Sequence, residues 1–215
     1  MAQPMTWQKL DRKLVAILRG IQPEETTGIV ETLLDAGFRA IEIPLNSPDP
    51  FRSIEIAAQT VQATSVGQCL IGAGTVLTVE EAQRVRDCGG NLVVSPNMNP
   101  AVIAETVTIG LVSVSGVFTA TESHAALAAG ASGLKFFPAF LLGPKGIHAI
   151  QTILPIGTPV CAVGGIGHKD FAAYIKAGIN GFGMGSSLYK PGDTAASVGV
   201  KARAMVAAYD EALTA

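Results

Sequence analysis

The sequence has no excess of basic residues. Its 215 residues include 15 Lys and Arg against 17 Asp and Glu, which gives a net charge of -2. A protein that binds nucleic acid needs cationic side chains to neutralise phosphates. The composition therefore excludes a general nucleic-acid-binding role. Charged residues make up only 15% and hydrophobic residues 48%, which is typical of a globular chain with a large core.

Long apolar segments and paired cysteines are also absent. No stretch has the length of a membrane span, and "MAQPMTWQKLDRK" lacks the apolar centre of a signal peptide. Cys69, Cys88 and Cys161 are odd in number and widely spaced. This pattern favours buried thiols in a reducing compartment over disulfides. We expect a soluble protein located in the cytoplasm, with no membrane partner.

Signatures of metal and nucleotide cofactors are missing as well. His124, His148 and His168 share no ligand spacing, so no metal is expected. The segment "IGAGTV" at 71–76 lacks the full glycine spacing of a dinucleotide fingerprint and has no acidic partner at the right distance. The sequence therefore predicts that no cofactor is required.

A recurring unit of helix, turn and strand is what the chain does contain. The stretches "DAGFRAIEIP", "DCGGNLVVSP", "TIGLVSVSG", "AAGASGLKFFP" and "KAGINGFGMG" each place a glycine before a short β-type run. Glycine adopts the left-handed conformation that ends a helix. The patterns Thr78-x-x-Glu81, Thr119-x-x-Glu122 and Asn99-Pro100 are typical of helix starts.

About eight such strands at near-even intervals predict a parallel sheet, because helices cross over between successive strands. The number favours a closed (β/α)8 TIM barrel; an open doubly wound sheet is the alternative. No linker divides the chain, so residues 1–215 are expected to form a single domain. A short N-terminal helix at about 5–13 is expected to cover the bottom of the barrel with Trp7 and Leu10.

Two charged residues interrupt otherwise apolar strands. Glu42 alternates with Ile41 and Ile43 in "AIEIP", and Lys135 alternates with its apolar neighbours in "GLKFF". Because side chains alternate between the lumen and the helix-facing side, both charges are expected to point into the barrel. They lie near the carboxyl ends of their strands, where barrel enzymes place their chemistry, and Arg19 follows the first strand at the same end.

Burial disfavours the charged form of a lysine and lowers its pKa. A neutral Lys135 amine could attack a ketone or aldehyde to form a Schiff base, while Glu42 moves protons. The alternative is a structural ion pair of Lys135 with Glu42 that fills the barrel. We expect Phe136, Phe137 and Phe140 to pack near the lysine.

Glycine clusters follow the seventh and eighth strands. They are "VGGIG" at 163–167 and "GMGSS" at 183–187. Exposed backbone N–H groups at such turns bind anions, and the loops after strands seven and eight commonly hold a phosphate in barrels. The two clusters together predict a phosphate site.

In combination, "AILRG", "AIEIPLNSP", "IGAGTVL", "VVSPN", "LKFFPA", "AVGGI" and "GMGSSLY" resemble the 2-keto-3-deoxy-6-phosphogluconate (KDPG) and 6-phosphogalactonate aldolases. The resemblance spans about residues 14–190. It implies a trimeric class I aldolase in which Lys135 forms the Schiff base and Glu42 is the acid/base. It further implies that Thr75 contacts the carboxylate of the bound pyruvoyl group, and we expect Arg19 to hold this end of the substrate with it. The phosphate-binding positions that it implies are Gly164, Gly165, Gly185 and Ser186.

Departures from the gluconate branch indicate the substrate. Pro44 and Asn46 replace a threonine and an arginine of that branch, and Val163 replaces a threonine. With Arg19, this pattern is similar to the galactonate branch. The implied reaction cleaves 2-dehydro-3-deoxy-6-phosphogalactonate to pyruvate and glyceraldehyde 3-phosphate. Ser115 stands where the family has a proline, in what the sequence indicates is the turn after the fifth strand.

Three alternatives remain open from the residues alone. The first is the same cleavage of the gluconate epimer. The second is a phosphosugar isomerase or epimerase, which needs no covalent lysine adduct. The third is a barrel that binds a phosphorylated metabolite without turnover.

Overall fold

The computed structural model describes residues 6–64 and 69–214. In this part of the chain eight parallel strands form a closed barrel in the order β1 to β8, and β8 pairs back with β1. The predicted (β/α)8 barrel is thereby confirmed, and the open-sheet alternative is wrong. The strands are β1 Leu14–Ile17, β2 Ala40–Pro44, β3 Leu70–Gly74, β4 Leu92–Val94, β5 Val112–Val117, β6 Gly133–Phe136, β7 Val160–Val163 and β8 Gly181–Met184.

An α-helix follows each strand. The helices are α1 Pro23–Ala36, α2 Pro50–Ala63, α3 Val79–Asp87, α4 Pro100–Thr108, α5 Ala120–Ala128, α6 Ala139–Gln151, α7 Phe171–Lys176 and α8 Ala195–Thr214. Helix α6 is interrupted at Gly143, where the backbone is not helical. None of the helices in residues 6–64 and 69–214 is both long and apolar enough to cross a membrane.

Side chains of the strands divide into two apolar cores. Ile41, Ile43, Leu134 and Phe136 belong to the larger core between the barrel and its helices. The smaller core fills the lumen and includes Val15, Ile17, Leu70, Leu92, Val94, Val112, Val114, Cys161 and Val163. This division follows the alternation of side chains along each strand.

The N-terminal segment differs in part from the predicted helix at about 5–13. Within its described residues, only Trp7–Lys9 is helical, as a single 3-10 turn. It ends at Leu10, whose backbone is extended. Trp7 and Leu10 are buried in the lumen core with the first residues of several strands, so they do close the bottom of the barrel.

Two further expectations differ from the structure: that all three thiols are buried, and that Ser115 lies in a turn. Cys69 and Cys161 are buried as expected, but Cys88 is only half-buried because it ends α3 at the surface. Ser115 does not lie in a turn: it is buried within β5 and pairs with Leu134 of β6. Its hydroxyl donates a hydrogen bond of 3.3 Å to the Asn97 carbonyl.

Candidate active site

Glu42 of β2 and Lys135 of β6 both project into the upper lumen. Both residues are buried, with exposed fractions of only 2% for Glu42 and 7% for Lys135. No ion pair or hydrogen bond joins the two side chains among the described residues, and Glu42 Oε2 is buried without a hydrogen-bond partner. The direct ion pair of the structural alternative is therefore not formed.

All eight predicted site residues line one cavity above this pair. The cavity has a volume of about 860 Å³, which is in the range of pockets for small metabolites. Its lining includes Arg19, Glu42, Thr75, Lys135, Gly164, Gly165, Gly185 and Ser186. It opens at the carboxyl ends of the strands, the face that carries the active sites of barrel enzymes.

Burial shifts the pKa values of both charged groups toward their neutral forms. Desolvation lowers the pKa of Lys135, although the attraction of Glu42 partly opposes this shift. Desolvation likewise raises the pKa of Glu42, against the opposing influence of Lys135 and then Arg19. The site thus holds an amine and a carboxyl group that can each exchange a proton more readily than exposed groups of their kind.

Cys161 of β7 lies beside Lys135 in the lumen, because the two residues are paired on neighbouring strands. Desolvation is the main reason that the pKa of its thiol rises to about 12. The thiol is therefore protonated at neutral pH and places no negative charge next to the lysine. Its position beside Lys135 was missed because an isolated cysteine in "TPVCAV" reads only as a small apolar residue.

Phe137 lies above the lysine at the cavity wall. The Lys135 ammonium is 5.2 Å from the centre of the Phe137 ring. Of the three phenylalanines expected to pack near the lysine, Phe136 instead points outward into the helix-facing core. Phe137 and Phe140 are 41% and 61% exposed, so neither is a core residue, and of the two Phe137 lines the cavity.

Arg19 is held at the rim by its neighbours after β1 and β2. Its guanidinium donates a hydrogen bond to Asn46 Oδ1, and the next backbone N–H, that of Gly20, donates to Ser47 Oγ over 2.9 Å. The β2 loop thereby orients the cation toward the cavity. Sequence reasoning noted Asn46 only as a departure from the gluconate branch and missed this positioning role.

Thr75 follows β3 and has φ 58, in the left-handed region. A β-branched residue rarely adopts this conformation, which costs of order 1–3 kcal/mol and is found at functional sites. The turn brings Thr75 to the cavity wall beside the end of β2.

The two glycine turns line the cavity after β7 and β8. Gly164 and Gly165 have consecutive positive φ values of 94 and 71. The backbone N–H groups of Gly165, Ser186 and Ser187 make no hydrogen bond within the described residues, so they can donate to an anion.

Within residues 163–195, no α-helix begins directly behind either glycine cluster. The first cluster is followed by a 3-10 turn at His168–Asp170, whereas the second closes on itself as Leu188 and Tyr189 donate to the Gly185 carbonyl. Helix α8 begins only at Ala195, because a further turn stabilised by Asp193 intervenes. An anion at this rim would therefore be bound by turn N–H groups and not by the N-terminus of an α-helix.

No group of three or more His, Cys, Asp or Glu side chains able to hold a metal lies within residues 6–64 and 69–214. The three histidines are exposed. Of these, His148 makes a hydrogen bond of 2.8 Å to the Ala177 carbonyl.

The fold and the cavity define a (β/α)8 barrel with a buried lysine below a rim of glycine turns, the arrangement in which barrel enzymes place their chemistry. The sequence pattern of the family described as "Aldolase: KDPG and KHG aldolase" matches residues 8–197. The chain belongs to this family, whose members are lyases.

Two curated relatives and a solved structure are similar over almost the full length. The "Probable 2-dehydro-3-deoxy-6-phosphogalactonate aldolase" of Rhizobium meliloti (strain 1021) is 57% identical over 94% of this chain and 93% of its own. The "2-dehydro-3-deoxy-6-phosphogalactonate aldolase" of Escherichia coli (strain K12) is 43% identical over 97% of this chain and 100% of its own. The "Native KDPGal structure" superposes with a TM-score of 0.93 at 42% identity, covering 98% and 100% of the two chains.

Proposed function

We propose that this protein is a class I aldolase that cleaves 2-dehydro-3-deoxy-6-phospho-D-galactonate to pyruvate and D-glyceraldehyde 3-phosphate. The observation that carries the proposal is Lys135, buried in the lumen with a lowered pKa and opening on a cavity rimmed by an anion site. The names of the two relatives support the galactonate substrate.

Lys135 supplies the nucleophile. Its neutral amine attacks the C2 ketone to give a carbinolamine. The carboxyl form of Glu42 then donates the proton with which the hydroxyl leaves as water, which gives a protonated Schiff base and the Glu42 carboxylate. This cation accepts the electron pair of the C3–C4 bond when that bond breaks. Because burial lowers the pKa of Lys135, a larger fraction of its amine is neutral at a given pH than for an exposed lysine.

Glu42 moves the protons of the reaction. As a carboxylate it takes the proton of the C4 hydroxyl, so that the C4 carbon becomes the aldehyde of the departing glyceraldehyde 3-phosphate. The remaining enamine is protonated at C3, and water then hydrolyses the Schiff base to release pyruvate and free Lys135. The unpartnered Oε2 atom of Glu42 is available for these transfers.

The two ends of the cavity orient the substrate. Arg19 and Thr75 are assigned to the carboxylate of the keto acid, and the turns at Gly164, Gly165, Gly185 and Ser186 to the phosphate. Holding both ends places the scissile bond between Lys135 and Glu42, which reduces the entropy cost of reaching the transition state.

Borohydride trapping tests the covalent step. The protein is incubated with pyruvate, reduced and mapped by peptide mass spectrometry. We expect a reduced pyruvoyl adduct on Lys135, and no adduct and no cleavage with Lys135→Arg, because a guanidinium stays protonated. Lys145→Arg, at an exposed lysine in α6, is the matched control and should behave as wild type. Cleavage by Lys135→Arg would contradict the proposal. A folded wild type without an adduct would favour the isomerase or binding alternatives.

The gluconate epimer is the second candidate substrate. A relative named "2-dehydro-3-deoxy-phosphogluconate aldolase" from Treponema pallidum (strain Nichols) is 32% identical over 79% of this chain. Comparing kcat/KM for the two epimers decides between them. A higher value for the galactonate epimer is the expected result.

A homotrimer is proposed from the family resemblance. Exposed apolar side chains at the start of α6 support an association surface, since Phe140 and Leu141 are 61% and 64% exposed. Sedimentation equilibrium gives the mass of the assembly, and a monomer would contradict this proposal.

We also propose a cytoplasmic location. The three cysteines form no disulfide among the described residues, which suits a reducing compartment. Fractionation of the source cells with antibody detection tests the location.

A further inference from the structure

Gly74, the last residue of β3, lies against the carboxyl group of Glu42. A Cβ atom added to Gly74 would stand 1.7 Å from Glu42 Oε2, 2.3 Å from its Cδ and 2.6 Å from its Oε1. Those three atoms are the nearest to the added carbon, and none of the distances is compatible with a real Cβ contact. The carboxyl group thus occupies the space that any side chain at position 74 would need.

Backbone conformation does not explain this glycine. Gly74 is in a regular strand and is absent from the residues with positive φ, so an alanine could adopt its backbone angles. The neighbouring Thr75 is the one that adopts a left-handed conformation without being glycine. What position 74 requires is the lack of a side chain.

The backbone at Gly74 cannot easily move to make room. Gly74 pairs with Pro44 of β2 and Val94 of β4, and its carbonyl accepts a hydrogen bond of 2.8 Å from the Leu45 N–H. Protein interiors are densely packed and tolerate such shifts poorly. An added methyl group would therefore displace the Glu42 side chain instead.

We propose that Gly74 is a positioning residue. Because it has no side chain, it leaves the space that the Glu42 carboxyl group occupies, and it thereby sets the distance of that carboxyl group from the reacting atoms. The effect on catalysis rests on the proposed function, in which Glu42 transfers the C4 hydroxyl proton. The packing relation between the two residues does not depend on that function.

A double-mutant cycle tests the packing relation. Gly74→Ala is made in the wild type and in Glu42→Ala, and the midpoint of urea unfolding is measured for all four proteins. We expect Gly74→Ala to lower the midpoint in the wild type and to have little effect when Glu42 is truncated. Equal loss in both backgrounds would overturn the proposal.

The packing proposal can still be tested if the Gly74→Ala variant does not fold. If Gly74→Ala is insoluble, the double variant Gly74→Ala/Glu42→Ala should be soluble and folded, and its failure would also overturn the proposal. Gly28→Ala is the matched control, because Gly28 lies in α1 with no atom within 4 Å of an added Cβ. This control should keep the wild-type midpoint or exceed it.

Kinetics test the positioning role separately. A displacement of about 1 Å can cost about 10²-fold in rate, so Gly74→Ala should lower kcat strongly and change KM much less. Glu42→Asp shortens the side chain, so Gly74→Ala/Glu42→Asp should recover part of the lost kcat relative to Gly74→Ala alone.

An unchanged kcat in Gly74→Ala would overturn the positioning role. If instead the wild type forms no pyruvate adduct at Lys135, the proposed function fails while the unfolding cycle still decides the packing relation.

Discussion

Desolvation dominates the behaviour of the two ionisable side chains in the lumen. It lowers the pKa of Lys135 and raises that of Glu42, and the attraction between the two only partly opposes both shifts. Burying a pair of charges is rarely a source of stability, because the loss of hydration offsets their attraction. The arrangement is therefore better explained by chemistry than by folding.

Removing the Glu42 charge should shift the pH dependence of adduct formation. The Glu42 carboxylate raises the pKa of Lys135, so Glu42→Gln lowers it further. Because only the neutral amine attacks pyruvate, the rate of cyanoborohydride trapping should then rise at a lower pH than in the wild type. The control Glu31→Gln, at an exposed position of α1, should leave the curve in place. A midpoint that moved to higher pH would contradict the assignment.

Sequence reasoning identified the charged residues of the site and its glycine turns, but it missed Gly74 and Cys161. Lys135 and Glu42 stand out because a charge in an apolar strand needs an explanation. Gly74 and Cys161 do not stand out, since they contact Glu42 and Lys135 on the adjacent strands, which are distant in sequence. Those contacts are fixed by the register of neighbouring strands, which no local pattern reports.

At the scale of the elements, glycines end the helices. The first glycine of each of the five recurring stretches has a positive φ; these are Gly37, Gly89, Gly110, Gly130 and Gly178. The starts predicted at Thr78, Asn99 and Thr119 are confirmed, each by a side-chain cap. These local signals were readable because capping depends on residues close together in sequence.

Replacing one of these glycines should cost stability through the backbone alone. Gly110 ends α4 with φ 82, and an added Cβ would meet nothing within 4 Å. Gly110→Ala should lower the free energy of unfolding by about 1–2 kcal/mol, because alanine is strained in this conformation. Urea unfolding measures the change.

The comparison variant is again Gly28→Ala, which also adds a methyl group in open space but in the middle of α1. It should raise the free energy of unfolding by up to about 1 kcal/mol, since alanine favours helices. Equal effects of the two substitutions would show that the left-handed conformation of Gly110 has no energetic consequence.

At the scale of the whole molecule, the barrel must join its first and last strands. Local sequence patterns predicted the individual strands, but no single pattern indicates whether the sheet is closed or open. The closed barrel was predicted from the number of strand–helix units, which is about eight. In the structure β1 pairs with β8. Helix α8 stabilises this closure through Tyr209. The Tyr209 hydroxyl donates a hydrogen bond to the carbonyl of Asn180, just before β8, and accepts one from the backbone N–H of Lys13, just before β1.

An ion pair adds to this closure. Arg12, just before β1, makes two hydrogen bonds of 2.7 Å to the two carboxyl oxygens of Asp210 in α8. The hydrogen bond from Arg12 is the main reason that the pKa of Asp210 lies below its ordinary value. Because the side chains are 35% and 44% exposed, solvent screens the pair and limits its contribution to less than about 1 kcal/mol.

Asp210→Asn should therefore lower the free energy of unfolding slightly at neutral pH. A carboxyl group with a lowered pKa in the folded state stabilises the fold above its unfolded pKa, and that contribution is lost as the pH falls through the folded value. The difference between variant and wild type should then begin to shrink below about pH 3.8, the ordinary value, and disappear below the lowered folded-state value; it should also shrink in high salt. The control Asp87→Asn removes an exposed pair with the adjacent Arg86, which links no distant elements, and should change stability less. If the loss in Asp210→Asn persisted unchanged in acid, it would come from packing at the barrel seam and not from the charge.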